Sequence, residues 1–157
     1  DSKYTGSDGV WRNTIFNNRY IANFLVGKEF PFGLSKQNAF FVDARFSTVG
    51  GKPFTPIDVA ATFNAGAEED ILIVEETNAQ RLDPFYQVDL KVGFRITAGR
   101  STHSFKIDLF NVFNFRNPLT VRYSEIFNPL GGGSTQGEQQ VIYQRGFIPD
   151  VVYTVQF

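Results

Sequence analysis

The residues best equipped for chemistry in this chain are few and scattered. His103 is the only histidine and cysteine is absent, which excludes thiol nucleophiles, zinc–thiolate sites and disulfides. A Ser-His-Asp arrangement needs its histidine oriented by a buried carboxylate, and nothing in the sequence supplies one for His103. The run Gly131-Gly132-Gly133-Ser134-Thr135-Gln136-Gly137 lacks the Gly-Lys-Ser/Thr ending and the strand-to-helix setting of a phosphate-binding loop, so it reads as a flexible loop tip. Glu68-Glu69-Asp70 and Glu75-Glu76 offer oxygens of the kind Ca²⁺ takes, but without the Asp-x-Asp-x-Asp-Gly spacing they read as solvated loop acid. No catalytic residue, metal site or cofactor is expected. What remains is a set of polar side chains at alternate positions: Asp43 and Arg45, then Gln87, Asp89, Lys91 and Arg95, then Lys106 and Asp108. On a strand, alternate residues share a face, so this spacing builds a polar wall able to hold ion pairs or touch a polar solute. For any single member, a structural ion pair is the simpler role.

The elements that must position that wall are strands. From Tyr86 onward every second residue is apolar, namely Tyr86, Val88, Leu90, Val92, Phe94 and Ile96. The next run alternates Phe105, Ile107 and Leu109 with Ser104, Lys106 and Asp108, across a short turn at Ala98-Gly99-Arg100-Ser101. Pairing Thr97 with Thr102 puts Phe94 opposite Phe105, Val92 opposite Ile107 and Leu90 opposite Leu109. On the other face the same register puts Lys91 opposite Asp108. Apolar and opposite-charge cross-strand pairs stabilise a sheet, and a one-residue slip would destroy both sets at once.

Three further runs behave alike. Phe40, Val42, Ala44 and Phe46 alternate with Phe41, Asp43, Arg45 and Ser47. Tyr20, Ala22, Phe24 and Val26 form a less regular run, with a bulge or an end expected where Lys28 falls on the apolar parity. Val151, Tyr153, Val155 and Phe157 finish the chain, and Pro149 marks a bulge or the beginning of that strand. Short connections near 32–37 and 98–101 alternate with long ones near 50–84 and 115–140, the first of which has room for a little helix between Ala60 and Val74. In an up-and-down sheet this sorts short turns to one end and long loops to the other, as in bacterial barrels.

Composition agrees with strands. The chain has 18 Phe, 6 Tyr and 14 Gly, and aromatic residues make up 16% of it. Its 15 basic and 16 acidic side chains leave a formal net charge of −1, which gives no electrostatic footprint for nucleic acid. No apolar run approaches the roughly 18 residues of a transmembrane helix. The first residues, Asp1 to Gly6, lack a signal-peptide pattern, so a mature chain or a fragment is expected. The apolar face has no visible helix or second sheet to cover it, and lipid would cover it without further structure. The expected fold is therefore all-β: the last five or six strands of a larger antiparallel, up-and-down transmembrane barrel, whose remaining strands lie elsewhere because five cannot close. The lipid-facing set is Phe40, Val42, Phe46, Tyr86, Val88, Leu90, Val92, Phe94, Ile96, Phe105, Ile107, Leu109, Val151, Tyr153, Val155 and Phe157. The polar wall faces the lumen. Tyr20, Phe40, Tyr86 and Phe157 suit the aromatic girdles.

The stretch Leu82-Asp83-Pro84-Phe85-Tyr86-Gln87-Val88-Asp89-Leu90-Lys91-Val92-Gly93-Phe94 resembles a late barrel strand of TonB-dependent outer-membrane receptors. Phe105-Lys106-Ile107-Asp108-Leu109-Phe110-Asn111-Val112-Phe113-Asn114 resembles the family's penultimate strand, and Tyr153-Thr154-Val155-Gln156-Phe157 is similar to the terminal signal of outer-membrane barrels. Ser7-Asp8-Gly9-Val10-Trp11-Arg12-Asn13-Thr14 and Gly50-Gly51-Lys52-Pro53-Phe54-Thr55-Pro56-Ile57-Asp58 resemble the Bacteroidota branch, which includes the SusC-like receptors. The resemblance covers most of the chain. It implies a location in the outer membrane of a Gram-negative bacterium and uptake of a nutrient ligand such as a glycan, peptide or siderophore. It implies as partners membrane lipid, the remaining barrel and plug, TonB acting through an N-terminal region not among these residues, and a SusD-like surface lipoprotein. Two other functions are open at this point: an outer-membrane barrel enzyme, and a soluble β-sandwich or β-barrel binding module.

Overall fold

The computed structural model describes residues 1–34, 36–66, 68–128 and 133–157. In chain order the strands are β1 (Lys3–Thr5), β2 (Trp11–Asn13), β3 (Ile21–Phe32), β4 (Asn38–Val49), β5 (Pro53–Phe54), β6 (Gln80–Arg81), β7 (Phe85–Ala98), β8 (Ser101–Phe110), β9 (Pro118–Asn128), β10 (Gly133–Tyr143) and β11 (Ile148–Gln156). A short helix, α1 (Val59–Asn64), follows β5, and a single 3-10 turn spans Val74–Glu76. The fold is all-β, with antiparallel sheets. Among the described residues no helix is long and apolar enough to cross a membrane, a fact that does not bear on strands. The chain divides into two compact units, 1–20 with 49–84 and 117–144, and 21–48 with 85–116 and 145–157.

The second unit is one five-stranded sheet in the order β3-β4-β7-β8-β11. Spatial order follows chain order, which makes the sheet an open meander with β3 and β11 at its edges. The β7–β8 register is the one that the alternating residues demand: Thr97 opposite Thr102, Phe94 opposite Phe105, Val92 opposite Ile107, Leu90 opposite Leu109, and Lys91 opposite Asp108. The turn is Gly99-Arg100. Gly99 has φ 63°, the conformation a two-residue hairpin of the II′ kind asks of its first residue. β11 then pairs with β8, Val151 opposite Ile107, Tyr153 opposite Phe105 and Val155 opposite His103. Toward the other edge, Phe24 stacks on Phe46 and Phe30 meets Phe40, so numbers rise on β3 as they fall on β4. Short turns join β3 to β4 and β7 to β8. Long connections join β4 to β7 and β8 to β11, and in this antiparallel order they leave the opposite end of the sheet.

Two expectations need correction. β3 neither bulges nor stops at Lys28 but runs on to Phe32. The Lys28 ammonium settles over the Phe30 ring, 5.3 Å from its centroid, which lets a cation occupy the apolar face. Secondly, 115–140 is not a loop. It holds a long hairpin in which β9 pairs with β10 from Thr135↔Ile126 down to Tyr143↔Pro118. Gly131 and Gly132 of the expected loop tip lie outside the described residues, and β10 has already begun at Gly133. The pairing shifts between Thr135 and Glu138, and there a Cβ on Gly137 would fall within 1.8 Å of the Ser124 carbonyl oxygen, so only glycine fits the bulge. Gly93, on the polar face of β7, is closely covered. The Phe41 ring and the Phe105 carbonyl both lie within 2.6 Å of where its Cβ would be, so a larger residue there tests packing rather than polarity.

The first unit carries this hairpin, α1, the short β5–β6 pair and the N-terminal β1–β2 hairpin. The small helix expected between Ala60 and Val74 is α1, and Asp58 caps it by accepting from the Ala61 N–H at 2.9 Å. Gln139 of β10 accepts the Ile57 N–H, and Asp70 accepts the Tyr123 N–H. Asn13 and Asn78 each donate a side-chain amide to the other's backbone carbonyl, across 65 positions of sequence.

Candidate functional site

The polar face of the five-stranded sheet is where the chain gathers its charge. β-Alternation brings Gln87, Asp89, Lys91 and Arg95 of β7 onto the same side as Lys106 and Asp108 of β8, and Asp43 and Arg45 of β4 come beside them. Among the described residues, three ion pairs cross this face: Arg45 to Asp89 at 2.5 Å, Lys91 to Asp108 at 3.4 Å and Arg95 to Glu29 at 2.6 Å. The pair between Lys91 and Asp108 is the one the hairpin register requires. Exposed ion pairs of this kind contribute roughly 0–1 kcal/mol each.

Asp89 is different. It is 8% exposed, one of the few buried residues in the sheet. Its Oδ2 accepts from both Nε and Nη2 of Arg45, and its Oδ1 accepts from Gln87 Nε2 at 2.7 Å and from the Asn111 backbone N–H at 3.0 Å. Four donors for one carboxylate satisfy it in a site that water scarcely reaches. Arg45 keeps nearly half its side chain exposed. A shallow recess runs beside this pair, lined by Gly27, Asp43, Arg45, Asp89, Lys91 and Asp108 among others. Among the described residues, Asp43 and Lys106 have no ion-pair partner, and the Asp43 carboxylate lies directly over Gly27. The arrangement can position polar groups of a solute or of another segment. Among the described residues of this face, no hydroxyl is hydrogen-bonded to a histidine or a carboxylate.

The opposite face is apolar and open. Tyr86, Phe94 and Ile96 are about 40% exposed, and Val88, Leu90 and Val92 are half-buried by their own neighbours; none of the six is buried. Phe94 stacks on Phe105 with centroids 5.5 Å apart. Phe40, Val42 and Phe46 of β4, Ile107 and Leu109 of β8, and Val151, Tyr153 and Val155 of β11 share this face by alternation. Phe157 follows β11 at the chain's end, fully exposed.

His103 belongs to the apolar face, opposite Ile96 and Val155. Its Nδ1 bonds the Tyr153 hydroxyl at 2.7 Å and its Nε2 the Ser101 hydroxyl at 3.1 Å, beside the short turn. Both ring nitrogens thus meet hydroxyls and neither meets a carboxylate, which is a surface role. Among the described residues no three His, Asp or Glu side chains converge as metal ligands do.

Sequence reasoning missed three participants. Glu29 was hidden because the strand was expected to falter one residue earlier. Asn111 contributes a backbone N–H, which no side-chain pattern announces. Phe41 lies on the polar parity and covers Gly93, a role visible only in the packing. In the first unit, Arg12 grips Asp8 with two N–H groups, 2.8 and 2.6 Å, and that guanidinium holds the Asp8 carboxyl down at about 2. Arg81 donates one Nη1 to the carbonyls of both Asn17 and Gly51, and burial pushes its pKa down. No protein-family model, no curated protein and no solved structure matches the chain.

Proposed function

We propose that the chain is the C-terminal barrel segment of a TonB-dependent outer-membrane receptor that imports a nutrient ligand. One observation carries the reading: burial in the sheet is inverted. A carboxylate, Asp89, is buried on the charged face, while none of the six apolar side chains from Tyr86 to Ile96 is covered. Water on the second face would leave an aromatic-rich apolar surface exposed, and patches of that kind mark interaction or membrane surfaces. Hydrocarbon removes the conflict. On this reading Asp43, Arg45, Asp89, Lys91 and their neighbours face a wet lumen. His103, Tyr153 and the Gly99-Arg100 turn sit at the periplasmic rim, and the long connections lie outside the cell. Further strands pair with the open edges of β3 and β11, since a spanning sheet must close. The plug, TonB and a SusD-like lipoprotein are partners of the whole receptor.

The test is partition. The full chain, refolded and mixed with phosphatidylcholine vesicles, is expected to need detergent for solubility and to float with the vesicles. Recovery as a monodisperse species in detergent-free buffer, absent from the floated fraction, overturns the reading in favour of a soluble module.

A further inference from the structure

The connection from β8 back to β11 spans 111–147, yet β11 begins in one defined register. Where the chain leaves β8, Asn111 adopts φ 52°, and three residues later Asn114 adopts φ 54°. Left-handed backbone is uncommon outside glycine, and asparagine tolerates it best because its short amide bonds locally. Asn111 does so twice: Nδ2 donates to the Phe115 carbonyl and Oδ1 accepts the Phe115 N–H, each at 2.9 Å. The Asn114 N–H closes on the Asn111 carbonyl at 2.8 Å, and the Val112 N–H reaches the Val88 carbonyl of β7, also at 2.8 Å. This small ring presents the Asn114 amide oxygen outward. That oxygen accepts the N–H of Phe147, the residue just before β11, at 3.1 Å. Gly146 allows the approach, since a Cβ there would come within 1.8 Å of the same oxygen.

We infer that Asn111 and Asn114 form a register latch for the last strand. A string of hydrogen bonds runs from Arg45 on β4 through Asp89 on β7 and Asn111 at the end of β8 to Asn114 and Phe147. It fixes where the returning chain meets the sheet, one residue before Ile148 pairs with Phe110. Among the described residues β8 is the one neighbour of β11 in the sheet, so within these residues the register is set from the β8 side. A slip of one residue would turn Val151, Tyr153 and Val155 onto the charged face. The latch works whichever solvent wets the apolar face, so it does not rest on the proposed function.

Amide hydrogen exchange of the full chain, read by mass spectrometry on separate peptides, tests it. Asn114→Gly keeps the backbone conformation and removes the acceptor; Asn114→Asp keeps an acceptor. A hydrogen bond contributes about 1 kcal/mol, or about fivefold in exchange. Asn114→Gly is therefore expected to speed exchange about fivefold in peptides covering Phe147–Val152, with β7–β8 peptides unchanged and Asn114→Asp within twofold of the parent. Gly146→Ala, which pushes the Asn114 side chain away, attacks the same bond from the other side and decides the matter if Asn114→Gly does not fold. Unchanged exchange at Phe147–Val152, equal acceleration in β7–β8, or Asp behaving like Gly at position 114 overturns the latch.

Discussion

Phe94 and Tyr86 lie on the same strand and the same face, and they are equally exposed, at 41% and 40%. Water treats them alike. A bilayer does not, because they differ in height. β7 spans Phe85–Ala98, so its middle falls between Lys91 and Val92. With a rise of about 3.4 Å per residue and a tilt of about 40°, each residue climbs about 2.6 Å. Phe94 then stands about 6.5 Å from the midplane. Tyr86 stands about 14 Å from it, at the border of an apolar band about 25 Å tall. Arginine on a lipid-facing strand costs about 2–4 kcal/mol at the midplane and about 0–1 near the interface. Interpolation gives about 1–3 kcal/mol at Phe94 and about 0–1 at Tyr86.

Each substitution also breaks a ring contact, Phe94 with Phe105 and Tyr86 with Phe115. The alanine variant at the same site removes that contribution, so the quantity to compare is the cost of arginine beyond the cost of alanine. Urea titration of the chain folded into vesicles, with the folded fraction read from gel mobility, supplies it. The arginine excess at Phe94 should surpass that at Tyr86 by at least about 1 kcal/mol, and at Val92 it should be larger still. Asp43→Arg, on an exposed and unpartnered side chain of the other face, should stay within about 0.5 kcal/mol. Equal arginine excess at Phe94 and Tyr86 refutes hydrocarbon on this face.

Two further outcomes follow from the polar contacts. Asp89→Ala strands the buried Asn111 N–H and the Gln87 amide, and should cost about 1–3 kcal/mol in chemical unfolding; half-exposed Arg45 rehydrates and adds little. Lys91→Met, at a looser and wetter pair, should stay within about 0.5 kcal/mol, and a larger loss there than at Asp89 would contradict the assignment of Asp89 as the hub. Asp8, ordinarily near 3.8, is held at about 2 by Arg12. Because the folded value lies below the unfolded one, the stabilisation is whole above about 3.8 and lost as pH falls through about 2. The Asp8 side-chain carbon resonance should titrate near 2, and Arg12→Gln should bring the midpoint back toward 3.8; a parent midpoint already at 3.8 would deny the pair.

Legibility depended on whether one face of a strand differs from the other. β7, β8, β4 and β11 each present a greasy side and a polar side, and a period of two is then unmistakable; the β7–β8 register could be written down from cross-strand pairs alone. β9 and β10 gave a weaker sign. Leu119, Val121 and Tyr123 do alternate with Thr120, Arg122 and Ser124, a period-two run of six residues, but Thr135 to Gln140 of the partner strand hold no apolar side chain to answer it, and the Gly, Pro and Asn residues around both make the stretch read as a connection. Burial writes periodicity into a sequence, and this hairpin is only half-buried, along Val121, Tyr123, Gln139 and Val141, while Leu119, Thr120, Ile142 and Tyr143 stay exposed, so its pattern is short and confined to one strand. The charged members of the polar wall were legible for the same reason as the sheet. Their partners were less so. Glu29 sits on an edge strand whose pattern is blurred by Lys28, and the Asn111 contribution to Asp89 comes from backbone.

The inversion at Asp89 also constrains how the wall can act. A buried carboxylate with four donors is a poor ligand for a passing solute, since any new bond must displace one already made. Arg45 has its far side open, and among the described residues Asp43 and Lys106 have no ion-pair partner, so any contact with a solute or another segment would fall to these three, with the structural duty on Asp89. Division of labour of this sort explains why equal charges on one face need not respond equally to substitution. Loss of Asp89 should be felt in stability first, through β4, β7 and the Asn111 turn together. Loss of Asp43 or Lys106 should leave the sheet intact and be felt, if the lumen reading holds, only in what the barrel carries.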